Sequence, residues 1–390
     1  MLHKYGTPAY RLEAHLMSLA DSLGLRSSFI ISPTSMTFII WTEGHEDEYT
    51  HAARVEPGDL DLGSLSRTDD VIESMLAGDY SIEEANERLD EIDTMPNPYG
   101  RISTGISYVL AGGAFAMLMR GSIQEVITSA SIGLLVYLFV LWSERSKGIS
   151  NMLEPLVAMI SGFLAYGVAA KFDPSLSVNL VVLSSIIVFI PGLALTIGLN
   201  ELSSRHLVSG TVKVMDALMM LFKLYFGAFL GMKIGYSVFG AYQIEIPQHL
   251  PDWFSWIAIA LLSSSLIIAF RTRKKHMVWS MLVAFIAFSV SSLGTSYFDY
   301  GVGAFIGAFV VGVYGNLFTR FANSPAVIVT MQGLIVLVPG SKTFISLNTY
   351  LVGEGFASAE HAGQQALVIF MSIVAGLIFA NSALPPKKSL

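Results

Sequence analysis

The chain reads as a polytopic all-α membrane protein, with about ten transmembrane helices in two inverted five-helix repeats and a small N-terminal cytoplasmic α/β domain. Four observations point there. Hydrophobic residues make up 53% of the chain and charged ones 14%. The apolar residues gather into runs of roughly 20, the length needed to cross a hydrocarbon core about 30 Å thick. Lys and Arg concentrate in alternate connections between those runs. Finally, Ile187-Val188-Phe189-Ile190-Pro191-Gly192 returns as Ile335-Val336-Leu337-Val338-Pro339-Gly340, and Leu199-Asn200 as Leu347-Asn348.

Residues 1–100 form the expected cytoplasmic domain. The stretch MLHKYGTPAYRLEAHL has no apolar segment of secretory type. Leu12, Leu16, Leu19, Ala20 and Leu23 share one face of a helix. The β-prone runs 27–42 and 48–57 read as two paired strands across the acidic turn EGHEDE. Helices are predicted at 66–77 and 82–93, the second marked by the capping-box spacing of Ser81 and Glu84. Pro96 and Pro98 lead into the first span.

Apolar segments then fall at 104–120, 124–142, 152–170, 176–198, 214–236, 253–270, 276–296, 301–318, 325–345 and 362–383. With the N-terminus inside, the inner connections hold Arg145 and Lys147, Arg205 and Lys213, Arg271 to Lys275, Arg320, and Lys387 and Lys388. The outer ones hold Arg120 and Lys171, and otherwise acids such as Asp173, Glu245, Asp252 and Asp299. This bias predicts a multi-pass protein of the cytoplasmic (inner) membrane with both termini cytoplasmic. The Pro-Gly elements then lie five spans apart and cross the bilayer in opposite directions, so 101–245 and 250–385 are the expected inverted halves.

A helix broken at Pro frees backbone groups inside the bilayer, and the resumed half-helix offers amide hydrogens and a positive dipole to a carboxylate. Pro191, Gly192, Thr196 and Asn200, with Pro339, Gly340, Ser341, Lys342, Thr343 and Asn348, are therefore the candidate substrate-binding residues. Lys342 lies near a span end and could instead snorkel to the interface. Ionisable groups in or beside spans are costly and so informative. Asp216, Glu201, Glu125 and Glu154 are candidates for proton coupling, and Lys213 and Lys223 complete the charge network. Lys213 stands one turn before Asp216, a spacing that suits a local ion pair. For Glu125 and Glu154, capping of a helix start is the alternative reading. Gly227 with Gly231, and Gly303 with Gly307, mark close helix packing.

Other chemistries find little support. A net charge of −7 without a basic cluster of nucleic-acid type argues against nucleic-acid binding, and the absence of cysteine excludes disulfides and thiol chemistry. His15, His45 and His51 have no metal-ligand spacing, and no Walker motif is present. No catalytic residue, metal or cofactor is expected.

The chain resembles the threonine/serine exporter family of ThrE type over nearly its full length. The resemblance rests on MTFIIW (36–41), the run RVEPGDLDLGSLSRTDDVIESMLAGDYSIEEANERLDEI (54–92), MPNPYG (95–100), GGAFAMLMRGSIQEV (112–126) and PGLALTIGLNELSSRHLVSGTVKV (191–214). PGSKTFISLNTYLVGEG (339–355) looks like the second-half counterpart. The resemblance implies secondary export of small hydroxylated amino acids by proton-coupled antiport, in a form that fuses both halves. The implied partners are a small carboxylate-bearing metabolite, protons and the lipid bilayer, with a homo-oligomer left open. Relatives with split halves imply a dicarboxylate such as succinate as an alternative cargo, and a channel or membrane sensor is a further alternative. The family commonly has Asp where this chain has Glu201, and Arg where it has Lys213. Both charges are kept, but Lys lacks the guanidinium fork.

Overall fold

The computed structural model describes residues 2–42, 48–55, 58, 60–243, 249–338 and 356–387, apart from the side chains of 42 and 356–362. The N-terminal part begins with helix α1 (Ala9–Ser22), whose Leu12 and Ala20 are buried while Leu23 is exposed. Three strands follow, β1 (Leu25–Ile31), β2 (Ser35–Thr42) and β3 (Glu48–Arg54), forming an antiparallel sheet in the order β1-β2-β3. The sequence predicts two strands here. The run 27–42 folds back at Ser32-Pro33-Thr34 because the Ser32 hydroxyl accepts the Ser35 amide at 3.0 Å, turning the chain and pairing Ile31 with Met36. Pro33, which lacks an amide hydrogen, suits this turn and not a strand interior.

Helix α2 (Leu62–Leu76) starts where Asp61 caps the Ser64 amide at 2.7 Å. Helix α3 (Ile82–Thr94) carries the predicted Ser81–Glu84 capping box.

The remainder is helical: α4 (Gly100–Leu118), α5 (Ile123–Ser143), the short α6 (Lys147–Asn151), α7 (Leu153–Lys171), α8 (Val178–Ser185), α9 (Gly192–Ser203), α10 (Leu207–Phe239), α11 (Phe254–Ala269), α12 (Met277–Tyr297), α13 (Tyr300–Ala322), α14 (Val327–Leu337) and α15 (Phe356–Ala383). The protein is thus a polytopic, mostly α-helical membrane protein with a small N-terminal α/β element. Among the described residues, α4, α5, α7, α10, α12, α13 and the 363–383 part of α15 are long and apolar enough to cross a bilayer. Helices α8 and α9, bent by 60° at their junction, make an eighth span if taken together. The two other predicted segments carry the shorter apolar helices α11 and α14.

Packing follows the glycines. Helix α7 lies along α10, where a Cβ at Gly227 or Gly231 would run into the Pro155 or Met159 carbonyl oxygen. Helix α13 lies along α15, where a Cβ at Gly376 would stand 2.6 Å from the Phe305 carbonyl oxygen. These small-residue seams let backbones approach in a setting where lipid is as apolar as any side chain. Outward positions on α10, including Met219, Phe222 and Phe226, are exposed and apolar, as lipid contact requires.

The N-terminal element is bolted to one end of the bundle. Leu62 N–H donates to the Phe270 carbonyl at 2.9 Å, and Asp61 pairs with Arg271 at 3.2 Å. Arg273 pairs with Asp70 and donates to Ser66 Oγ at 3.1 Å. The Ser66 hydroxyl also lies 3.2 Å from Nε2 of the buried His276. The run Arg271 to Lys275, which the sequence presents as a topology signal, is therefore also the docking loop for α2.

Candidate functional site

The first Pro-Gly element is a break in a helix. After α8, residues Ile187–Phe189 make a single 3-10 turn, Ile190 is extended, and α9 restarts behind Pro191 with no side chain capping its first amides. Proline explains the restart: it fixes its own φ, has no amide hydrogen to continue α8, and suits the first turn of a helix. Pro339, Gly340, Ser341, Lys342, Thr343 and Asn348 lie outside the described residues. The helix leading to them, α14, ends at Leu337 with Val338 extended.

The first break and the approach to the second element meet at a cavity of about 510 Å³. Ile190, Gly192 and Ala194 line it from the first break, and Ile335, Val336 and Val338 from the approach to the second. Helices α4 and α11 close its sides, contributing Ser107 and Ser265 to a mainly apolar wall. The volume lies within the range of small-molecule sites, and the first turn of α9 supplies its polar end.

One turn beyond the cavity, Thr196 is buried and its hydroxyl donates to the Gly192 carbonyl at 3.1 Å. Asn200 Nδ2 donates to the Tyr10 hydroxyl at 2.9 Å. The next residue forms the main polar node of the bundle. Glu201 is fully buried; its Oε1 accepts the Ala9 amide at 2.8 Å and its Oε2 the Ser209 hydroxyl at 2.7 Å. The Lys213 ammonium closes the set by donating to Oε1. Helix α1 begins behind Pro8 with no side-chain cap of its own. The Glu201 carboxylate therefore caps α1 from the bundle, where the positive end of the helix dipole favours it.

The other candidate charges have different surroundings. Asp216 is exposed, and among the described residues it makes no ion pair, since Lys213 turns to Glu201 instead. Glu125 is buried and accepts the Ser122 amide at 2.6 Å and the Ser177 amide at 2.8 Å, so it caps α5 and also ties the approach to α8. Glu154, in the first turn of α7, faces Lys223 of α10 at 3.9 Å. Sequence reading missed Tyr10 and Arg11, which reach the bundle from α1, and Asn316, Thr330 and Asn381, which face them from α13 to α15. No local motif marks these positions, because only the docking of α1 assembles them.

Comparison with known families agrees with this architecture. The family model described as "Putative threonine/serine exporter" (ThrE) matches residues 1–235. The model described as "Threonine/Serine exporter, ThrE" matches 254–383. The chain belongs to the threonine/serine exporter family. The first model spans the N-terminal element, the first broken helix and the Glu201–Lys213 pair, and the second covers the chain from α11 to the end of α15. Among curated relatives, the pheromone-regulated membrane protein 10 of Eremothecium gossypii is 24% identical over 350 residues, covering 86% of this chain and 46% of that protein. The protein of the same name from Kluyveromyces lactis is 23% identical over 365 residues, covering 91% of this chain and 38% of its own length. The chain thus spans less than half the length of these relatives. No solved structure matches it.

Proposed function

We propose that the chain is a secondary active exporter of small hydroxylated amino acids, threonine and serine, working as a proton-coupled antiporter in the cytoplasmic membrane. The observation that carries this reading is the cavity shared by the first broken helix and the end of α14. Its position where two halves meet is the position of substrate sites in transporters built from inverted repeats. Family membership supplies the substrate class. The first turn of α9 has no side-chain cap, and while the Gly192 amide donates to the Ile190 carbonyl, the next amides, of Leu193 and Ala194, are there for the substrate carboxylate.

We read the bundle as ten spans in two inverted halves, 101–245 and 250–385, with 1–100 as the cytoplasmic domain and both termini on that side. Matching packing supports the reading: α7 lies along α10 as α13 lies along α15, α8 packs on α5 and α7 as α14 packs on α12 and α13, and the two leading helices α4 and α11 pack on each other. Glu201 is the proton-coupling group we favour. It is a buried carboxylate that joins α9, α10 and the cytoplasmic domain, so protonation would loosen all three contacts together.

Proteoliposomes loaded with threonine, serine or succinate test this directly. Saturable threonine and serine efflux, with counterflow and dependence on an imposed pH gradient, is the expected result. Saturable movement of succinate alone would reassign the cargo to dicarboxylates. Non-saturating flux without counterflow or proton dependence would overturn the carrier reading.

A further inference from the structure

A second, smaller recess lies beside the central cavity, also against the N-terminal element, which reaches the cavity through Leu60 and the recess through the start of α1. Along α9, Leu193 and Ala194 face the cavity, whereas Thr196, Ile197 and Asn200 face the recess. Along α14, Ile335 faces the cavity and Thr330 and Met331 the recess. The recess is therefore offset from the cavity along α9 and α14, and Pro8, Tyr10 and Arg11 of the N-terminal element line it. Its free space is about 30 Å³, enough for a carboxylate-sized group and too little for a whole amino acid.

Most of its polar atoms already have partners. Asn200 Nδ2 and Arg11 Nε both donate to the Tyr10 hydroxyl, at 2.9 and 3.3 Å. Asn316 Nδ2 donates to Asn381 Oδ1 at 3.0 Å and to the Leu384 carbonyl at 2.7 Å. Arg11 is the exception. Its Nη1 is buried without a hydrogen-bond partner, and no acid lines the recess. The nearby carboxylate of Glu201 is already engaged by Ala9, Ser209 and Lys213. A guanidinium does not shed its proton, and its planar fork matches a carboxylate. A buried guanidinium nitrogen beside amide and hydroxyl groups, with no acid to meet it, is the recognition set for a small amino or hydroxy acid.

We propose that this recess is a cytoplasmic loading site, separate from the Pro-Gly cavity, in which Arg11 binds the substrate carboxylate. The inference rests on the exporter reading. Asn200 Oδ1, which accepts nothing among the described residues, is placed to receive the ammonium or hydroxyl of the same ligand. Because the recess is too small for a whole amino acid, loading requires α1 to move outward. The Ala9–Glu201 hydrogen bond holds that helix in place, so substrate capture and the buried carboxylate act on one element.

The test is threonine transport by the full-length protein in proteoliposomes, with substrate presented to the cytoplasmic face. Threoninol, which lacks the carboxylate, serves as the competing probe. Arg11→Gln should raise the threonine KM by roughly tenfold or more with little change in kcat, and should abolish the preference for threonine over threoninol. Asn200→Asp sets a carboxylate beside Arg11 with almost no change of shape, and covers the case in which Arg11→Gln does not fold. It should weaken threonine and strengthen the cationic threoninol. Transport by the unaltered protein, with both variants keeping its KM and its preference, would overturn the loading site alone. Absence of threonine transport by the unaltered protein would instead overturn the exporter reading beneath it.

Discussion

Lys213 and Glu201 form an ion pair across the turn between α9 and α10, at the two positions where the family resemblance implies Arg and Asp. The departures are therefore one exchange. Glu reaches one methylene further than Asp, while Lys ends in a single ammonium in place of a fork, so the pair trades reach for bidentate geometry. The carboxylate recovers the lost contacts elsewhere, from Ser209 and from the start of α1.

Glu201→Gln leaves Lys213 without its counter-charge. Breaking a buried pair costs about 3–5 kcal/mol, and the lower end applies because the Lys213 side chain is 24% exposed. Thermal unfolding in detergent should register the loss, and Lys213→Met in the same background should recover part of it. The double exchange Glu201→Asp with Lys213→Arg should unfold near the parent temperature. If Glu201 carries the proton, Glu201→Gln also uncouples transport from the pH gradient.

Gly231→Ala should be among the most damaging single-methyl changes in the chain, since the new Cβ meets the Met159 backbone oxygen rather than a side chain that can turn away. Overpacking of this kind costs about 1–3 kcal/mol or more. Gly376→Ala should do comparable harm at the α13–α15 seam. Gly148→Ala, whose Cβ would come no nearer than 3.9 Å to the Ser146 hydroxyl, should lie within about 1 kcal/mol of the parent. Melting temperatures of the three purified variants give the comparison.

Docking of the N-terminal element should depend on Arg273. Its guanidinium holds Asp70 and Ser66 together, so Arg273→Ala should hasten proteolysis after the domain, within 95–100, while the bundle stays intact. Asp61→Ala should act in the same direction. It removes the α2 cap, about 0.5–2 kcal/mol, along with the partner of Arg271.

The same domain should loosen at both ends of the pH scale. Lys4, by hydrogen bonding to Asp93, holds that carboxyl below its ordinary value. The Asp93 contribution is thus present above the unfolded pKa and fades as pH falls through the folded one. Burial, with help from Asp93, pushes the Tyr5 phenol up to about 12, so its contribution is present below the ordinary value of 10.0 and fades as pH rises toward 12. Asp93→Asn should blunt the acidic loss, by at most about 1 kcal/mol because the pair is exposed. Protection of the amides near residues 2–5 from hydrogen exchange reads both limits.

Ala194→Trp fills space at the first break. Because Ala194 lines the cavity and is only partly buried, the protein should remain folded while threonine flux falls by roughly tenfold or more. Unchanged flux in a folded variant would remove the cavity from the pathway.

Much of this was legible from periodicity and turn chemistry. The helix positions, the Ser81–Glu84 capping box, the break at Pro191 and the glycine seams all follow from groups within a few residues of one another. The third strand was not read, because Ser32-Pro33-Thr34 looks like part of a β-prone run until the Ser32 side chain closes the turn. Among the charges, Lys213 has two acids within reach along the chain. Spacing favours Asp216, one turn away on the same helix, but burial decides for Glu201.

The sequence by itself determined the membrane class, the family and the place where a helix must break, since these depend on hydrocarbon thickness, composition and the missing amide hydrogen of proline. Tertiary structure decided that both Pro-Gly approaches face one cavity, that the basic loop at Arg271 is a docking surface, and that Arg11 of the N-terminal element looks into the bundle. Those relations join residues up to about 370 positions apart. Only the folded backbone brings such groups together, and only burial there leaves a charge in need of a partner.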